Sequence, residues 1–361
     1  MQLVASRLAR TAAPIFLLVT LAACAADRNV IGIDNAQVPA ASVENATKQK
    51  IFIASTRQAT DAAGALFSEK RASKVGLASV QVSIPPTHVI GELERAVQMP
   101  PDPRTEFAVV DPTVYATDAA FIKAVDEELA KRPKGDRDLL VFIHGYNNTT
   151  SDSVLRSAQF ANDSGYKGVV LIFDWASAAK LSRYVYDLNS TLVARGHLAE
   201  INSILLKTQA ENYDILAHSM GGFLTMEAIR DAVQNNKLNT TGKLQNVVLA
   251  SPDIDMDLFR TQMAVIGDRL ASFYVLLSEN DKALAFSRVI GGGVSRVGSA
   301  NADELAALGV TAIDLTEIDD SSSGSHSKFA GSPEVVQLLG NGLNQHSQFE
   351  RRSAGARLQE L

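Results

Sequence analysis

The stretch from Tyr213 to Ala228 reads Y-D-I-L-A-H-S-M-G-G-F-L-T-M-E-A. It begins as a short apolar run typical of a buried strand, and after two glycines its apolar residues recur about one helical turn apart. Ser219 lies at the break, so the pattern predicts a serine on a tight strand-to-helix turn, a nucleophile elbow. Such a turn needs small residues two positions to either side, and Ala217 and Gly221 make A-H-S-M-G a variant of G-x-S-x-G. The alternative is a serine that only caps the following helix.

The composition of the 361 residues is that of a globular protein, with 46% hydrophobic and 20% charged residues. The net charge of -6, without a cluster of Lys and Arg, argues against a nucleic-acid partner. A single Cys excludes a disulfide framework within the chain, and no spacing such as H-E-x-x-H indicates a metal site.

Residues 1–23 have the pattern of a lipoprotein signal peptide. Arg7 and Arg10 form a positively charged n-region. The segment from Ala13 to Ala23 is apolar and too short to cross a bilayer as a helix. The segment ends in L-A-A-C, which resembles the bacterial lipobox, whose cysteine is acylated and becomes the first mature residue. We therefore expect Cys24 to carry acyl chains that anchor the protein to a membrane. The alternatives are an ordinary signal peptide cleaved nearby and a buried core cysteine.

The residues that follow Cys24 bear on location and on the link to the domain. Ala26 stands where an Asp would retain a lipoprotein at the inner membrane of enteric bacteria, so this resemblance favours an outer-membrane anchor facing the periplasm. Residues 24–48 lack sustained periodicity and are predicted to be a flexible tether, with an ordered N-terminal arm as the alternative.

Residues 49–343 are predicted to form one domain, and 344–361 a loose tail. Strands are expected at 51–54, 77–84, 107–110, 139–143, 169–173, 215–217, 247–250, 273–277 and 310–315. Helices are expected at 117–131, 151–163 and 188–208. Strands that alternate with helices predict an α/β fold with a mostly parallel central sheet and helices on both faces. The chain between 250 and 273 is too short for a large cap domain.

Functional residues in such sheets lie after the carboxyl ends of the strands. His144-Gly145 follows one buried strand and matches the loop that supplies an oxyanion-hole N–H in α/β hydrolases. The expected donors are the backbone N–H groups of Tyr146 and of Met220, the residue after the serine.

The acid and the base of a triad are expected after later strands. Asp281 follows the strand at 273–277 and precedes a helical run, whose N-terminus favours an ionised carboxylate. His326 lies in a Ser/Gly-rich loop after the last strand, and the order Ser219, Asp281, His326 is that of α/β hydrolases. Three other acids remain open as alternatives to Asp281. They are Asp253, Asp255 and Glu279.

Seven stretches together resemble the bacterial α/β hydrolases grouped as uncharacterised esterase/lipase-superfamily enzymes. They are I-F-I-A-S-T-R at 51–57, V-F-I-H-G-Y-N-N at 141–148, F-D-W-A-S at 173–177, A-H-S-M-G at 217–221, A-S-P-D-I-D at 250–255, S-E-N-D-K-A-L at 278–284 and G-S-H-S-K-F at 324–329. The resemblance implies the α/β-hydrolase fold and a Ser–Asp–His hydrolase without a cofactor. It implies no particular substrate.

Two functions are consistent with the sequence. The first is a membrane-anchored serine hydrolase that cleaves a small-molecule or lipid ester, with Trp175 lining the acyl pocket and Tyr184 and Tyr186 covering the site. Core packing of these aromatic residues is the alternative. The second is a catalytically silent hydrolase-fold lipoprotein that serves as an envelope binding module. Thioester, amide and acyl-transfer chemistry remain open within the first function.

Overall fold

The computed structural model describes residues 30–269, 272–319 and 325–345. The predicted signal peptide at 1–23, Cys24, Gly324 and residues 346–361 of the predicted tail lie outside these ranges. Among the helices within the ranges, none is both long enough and apolar enough to span a bilayer.

One nine-stranded sheet runs through the molecule in the order β3-β2-β1-β5-β4-β6-β7-β8-β9. The strands are β1 (Thr47–Ala59), β2 (Phe67–Ile84), β3 (Ala108–Tyr115), β4 (Leu139–Ile143), β5 (Val169–Asp174), β6 (Tyr213–His218), β7 (Leu244–Ala250), β8 (Phe273–Leu277) and β9 (Thr311–Asp314). β1, β2 and β3 pair antiparallel, and every other neighbouring pair is parallel. The predicted, mostly parallel sheet is confirmed.

Helices cover both faces of the sheet. They are α1 (Asp118–Leu129), α2 (Thr150–Asp163), α3 (Tyr184–Leu205), α4 (Met220–Gln234), α5 (Met256–Ile266), α6 (Lys282–Ile290), α7 (Ala302–Ala306), α8 (Lys328–Gly331) and α9 (Pro333–Gln345). Along β4, side chains alternate between two hydrophobic cores. Val141 belongs to the core that includes residues of α1, α3, α4 and α5, and Phe142 belongs to the core that includes residues of α2, α8 and α9. A strand buried on both faces must be apolar throughout, as β4 is. Among the described residues between β7 and β8, the helical elements are α5 and a short 3₁₀ turn, and this stretch is too short for a large cap.

The first hairpin extends beyond its predicted bounds. β1 and β2 continue as a paired ribbon through the polar stretch after Ser55, with Arg57 opposite Arg71 and Ala59 opposite Phe67. The register shifts twice between Ser55 and Ala59, so apolar and polar residues do not alternate regularly there. Backbone pairing across the ribbon, rather than a hydrophobic pattern, forms this part of the strands.

The prediction of a flexible tether is wrong for residues 30–48. Ile31 is buried and its N–H donates to the carbonyl of Gly64, and the N–H of Gly32 donates to the carbonyl of Val109. Ala40 is buried against β3. The segment is held by backbone hydrogen bonds to distant strands, which a composition rich in Ala, Asn and Pro does not reveal. β1 also begins at Thr47, two residues before the predicted domain boundary of 49.

The C-terminal helix α9 was not predicted. Val335, Leu339 and Leu343 recur at four-residue spacing and pack into the core formed with α2. Gly340 allows this approach, because a Cβ there would lie 1.9 Å from the carbonyl oxygen of Ser164 at the end of α2. The helix includes residues 344 and 345, so the predicted tail boundary lies two residues too early.

Candidate active site

Ser219 lies on the predicted strand-to-helix turn, between β6 and α4. Its backbone angles are φ 54° and ψ -120°, a conformation that is strained for a residue with a side chain. Ser219 makes no side-chain capping hydrogen bond to α4, so the structure does not support the alternative of a helix cap. A Cβ on Gly221 would lie 2.5 Å from the carbonyl oxygen of His144, which explains why glycine stands at this position. Ala217 is fully buried beside Ile143 and Leu249 of the neighbouring strands, where its methyl group fits.

His326 and Asp281 are hydrogen-bonded to each other. The Nδ1–H group of His326 donates to Oδ2 of Asp281 over 2.7 Å. Asp281 is buried at the N-terminus of α6, where its Oδ1 accepts the backbone N–H of Leu284 over 2.9 Å. A carboxylate held in this way can orient the imidazole and stabilise its charged form.

The other three candidate acids have different positions and hydrogen-bond partners. Asp255 caps α5 by accepting backbone N–H groups of its first turn, and Glu279 is exposed to solvent. Asp253 accepts hydrogen bonds from the hydroxyl groups of Tyr184 and Ser287. Burial, together with the charge of Asp253, raises the pKa of Tyr184 well above its ordinary value, so this hydroxyl stays a donor. Asp253 therefore joins the starts of α3 and α5 to α6, and Asp281 is the acid that contacts His326.

His218, the residue before Ser219, contacts the loop that carries His326. Its Nε2 atom lies 3.0 Å from the backbone carbonyl of His326, so Nε2 carries the donated proton. The two imidazole rings lie 4.7 Å apart, and the ring of Phe329 is 4.8 Å from that of His218. Burial, with the nearby His326, lowers the pKa of His218 well below its ordinary value. A neutral His218 is therefore a fixed donor that positions His326.

Lys328 connects the loops that carry Asp281 and His326, and sequence reasoning missed it. Its side chain is buried, and its Nζ donates to Oγ of Ser278 over 2.9 Å and to the carbonyl oxygen of Leu315 over 2.7 Å. The side-chain oxygen of Asn280 and the carbonyl of Thr316 lie at 3.3 Å. Ser278 and Asn280 precede Asp281, and Lys328 follows His326 by two residues. The signal was the K of the quoted G-S-H-S-K-F stretch, which the triad pattern left without a role.

We expect Lys328→Met to reduce the rate of Ser219 modification by a fluorophosphonate about 10²-fold, because a shift of about 1 Å in the base has an effect of that size. The loss of buried hydrogen bonds should also lower the midpoint of thermal unfolding. Lys123→Met, at an exposed site on α1, is the control and should change neither quantity. An unchanged labelling rate in Lys328→Met would show that the link between the loops has no effect on the base.

The loop after β4 lies directly against the elbow. A Cβ on Gly145 would come within 2.9 Å of Cβ of Ser219, so only glycine permits this approach. Tyr146 follows it in the loop, and Met220 is the first residue of α4. Of the two residues predicted to donate their N–H groups, Met220 is thus the chain neighbour of Ser219, and Tyr146 is the chain neighbour of Gly145, which approaches Ser219.

The prediction that Trp175 lines the acyl pocket is wrong. Its side chain is fully buried, and its indole N–H donates to the carbonyl of His144 over 2.8 Å. The indole also stacks on the imidazole of His144, with ring centroids 4.9 Å apart. Trp175 follows the last residue of β5, and its indole ring lies in the core, where a buried acceptor is available for its N–H group. It therefore supports the loop at 144–148 from the core side.

A buried ion pair fixes the other side of the same loop. Nε of Arg57 lies 2.8 Å from Oδ1 of Asp174, and the guanidinium also donates to the carbonyl groups of Ser177 and Asn148. Burial opposes ionisation of Asp174, but the charge of Arg57 and hydrogen bonds hold its pKa well below its ordinary value. The S-T-R and F-D-W-A-S stretches therefore build the support of the loop at 144–148.

A cavity of about 440 Å³ lies beside Ser219 and His326. Ser219, His326 and Tyr146 line it together. Other lining residues include Leu93, Arg95, Asn148, Asp152, Arg156, Leu181, Tyr184, Asp253, Leu284, Phe286 and Phe329. Tyr184 thus borders the site as predicted, whereas the ring of Tyr186 packs under the guanidinium of Arg71 outside the lining. The cavity has an apolar side near α6 and a polar side near the start of α2.

Comparison with known proteins identifies a family. A sequence model described as alpha/beta hydrolase of unknown function (DUF900) matches residues 117–342, which is more than half of the chain. None of the curated proteins matches the sequence.

Several solved structures are similar to the chain at low identity. An esterase of Pyrobaculum calidifontis is 14% identical over 64% of this chain and 93% of its own, with a TM-score of 0.37. Esterase B of Lactobacillus rhamnosis is 13% identical over 64% and 81%, with a TM-score of 0.39. A fungal esterase from Rhizomucor miehei is 11% identical over 85% of each chain, with a TM-score of 0.36. Similarities at this level carry no argument about activity.

Proposed function

The chain belongs to the family of alpha/beta hydrolases of unknown function (DUF900), and on this premise we propose that it is a serine hydrolase that cleaves carboxylic esters. One observation carries the proposal. His326, hydrogen-bonded to Asp281, lines the same cavity as Ser219 on its strained turn. A serine beside a base that is itself oriented by an acid is the arrangement of an activated nucleophile.

The proposed reaction proceeds through an acyl-enzyme. Nδ1 of His326 donates to Asp281, so Nε2 is the nitrogen left to take the proton of Ser219 as its Oγ attacks the ester carbonyl. The N–H groups of Tyr146 and Met220 stabilise the negative charge that develops on the carbonyl oxygen. His326 then protonates the departing alcohol. A water molecule repeats the sequence, which releases the acid and restores Ser219.

The residues that line the cavity support the proposal that the substrate is an ester with an apolar acyl group. Leu181, Leu284 and Phe286 form the side near α6, where an acyl chain would be removed from water. Tyr184, hydrogen-bonded to Asp253, gives this side a polar boundary. The route requires neither a cofactor nor a metal ion.

A panel of substrates with one acyl group tests the proposal. Butyryl groups carried on p-nitrophenol, on a thiol and on an aniline present an ester, a thioester and an amide to the same cavity. We expect the ester to give the highest kcat/KM. The thioester and the amide test the two other hydrolysis reactions that are open to the same triad. The alternative function, a silent envelope binding module, requires that none of the three is turned over.

We also propose that the protein is anchored to a membrane by acyl chains on Cys24. Cys24→Ser is expected to move the protein from the membrane fraction to the soluble fraction, or to stop its processing, because the acylated atom is lost. Mass spectrometry of the wild-type protein should find Cys24 as an acylated N-terminus. Ala26→Ser, two residues away, is the control and should remain in the membrane fraction. An unmodified mature N-terminus at another residue would contradict the anchor.

A further inference from the structure

Two segments beside the cavity expose large apolar side chains, and we call residues 180–185 and 282–290 together the cavity rim. Leu181 and Val185 are 74% and 69% exposed, and Phe286 and Val289 are 62% and 76% exposed. Ile290 at the end of α6 is also exposed. Water-exposed apolar side chains grouped in this way mark an interaction surface.

The two segments form one surface around the cavity. The hydroxyl groups of Tyr184 and Ser287 lie 3.1 Å apart, and both donate to Asp253, so α6 is fixed against the start of α3. In α6, Leu284 and Ser287 face inward, which places Phe286 and Val289 on the outer side. Leu181 and Phe286 also line the cavity that contains Ser219. A group bound to the rim would therefore lie at the entrance to the site.

The charges of the rim indicate its partner. Four exposed cations alternate with the apolar side chains: Lys180, Arg183, Lys282 and Arg288. Neither segment contains an Asp or a Glu, although the whole chain has a net charge of -6. Apolar side chains interspersed with Lys and Arg are the composition of protein surfaces that enter the headgroup layer of anionic membranes.

We propose that the cavity rim docks on an anionic lipid bilayer and that the substrate is an ester group of a lipid in that bilayer. The acyl chain enters between Leu181 and Phe286, which lead from the exposed surface to the cavity of Ser219. This inference rests on the proposed ester hydrolase activity. It adds a surface and a substrate class to that activity.

Turnover of two butyrate esters, one in a bilayer and one in solution, tests the rim. Every protein in the test carries Cys24→Ser, so that no acyl chain holds it on the vesicles. Each protein is given a butyrate ester of a membrane lipid in vesicles of phosphatidylglycerol and phosphatidylcholine, and p-nitrophenyl butyrate in solution. Each cation at an anionic surface strengthens binding about fivefold. The double variant Arg183→Glu/Arg288→Glu should therefore lose at least about 25-fold in vesicle turnover, with the soluble ester within about twofold of wild type. Vesicles of phosphatidylcholine alone should remove most of this difference.

Two further variants separate the contributions. Val185→Ser/Val289→Ser should lower turnover in both kinds of vesicle, because it removes exposed apolar surface outside the cavity lining. Lys123→Glu/Lys207→Glu makes the same change in net charge on α1 and after α3, and should have no effect.

If the soluble ester is turned over but turnover in vesicles does not depend on the rim charges, this inference is overturned and the proposed function stands. It would also be overturned if the rim variants changed the oligomeric state, since a second copy of the chain would then cover the surface. Absence of soluble turnover in the wild-type protein would instead refute the proposed function.

Discussion

Ser219→Ala is expected to abolish labelling by a fluorophosphonate and to lower kcat for an ester about 10⁶-fold, the scale found when the serine of a subtilisin triad is removed. The probe forms a covalent bond to Oγ, and in Ser219→Ala no nucleophile remains beside His326. The fold should persist, since Ser219 makes no capping bond and only one oxygen atom is removed. Labelling on a gel and the thermal unfolding midpoint measure the two effects.

Ser251→Ala is the matched control for this change. Ser251 is also buried, also has a positive φ, of 44°, and lies at the end of the strand next to the elbow. It is not among the residues that line the cavity, so its removal should leave labelling unchanged. If Ser219→Ala were still labelled while the protein remained folded, another residue would be the nucleophile and the proposed function would fail.

Asp281→Asn is expected to lower kcat about 10⁴-fold, the effect of the equivalent change in a Ser–His–Asp triad, with little effect on folding. The side-chain amide of Asn can donate to Nδ1 of His326, which favours the tautomer with the proton on Nε2. An Nε2–H group cannot accept the proton of Ser219. The rate of burst labelling and steady-state kcat for a p-nitrophenyl ester measure the loss, and KM should change far less.

Asp253→Asn is the same substitution at a second candidate acid, one that lines the cavity. Asp253 accepts from Tyr184 and Ser287 and does not contact His326 among the hydrogen bonds of the described residues. We expect a modest loss of stability and a much smaller loss of kcat. A larger loss of kcat for Asp253→Asn than for Asp281→Asn, at equal stability, would assign the role of the acid to Asp253.

Local sequence was sufficient to predict the bounds of the strands that are completely buried. The apolar runs at 139–143 and 273–277 have the bounds of β4 and β8, because a central parallel strand is covered on both faces and tolerates few polar residues. The ribbon after Ser55 and the arm at 30–48 were missed, since their order comes from backbone pairing with distant strands. Such pairing leaves little trace in residue type.

The sequence by itself determined the fold class, the strand–serine–helix turn and the chain order of Ser219, Asp281 and His326. These follow from periodicity and from the small residues that a tight turn requires. Only the tertiary structure decided that Asp281 rather than Asp253 contacts His326, that Trp175 supports the loop at 144–148, and that Lys328 joins the loops of Asp281 and His326. The reason is geometric: Asp281 and His326 are 45 residues apart, and spacing along the chain does not encode where two loops meet or which way a side chain turns.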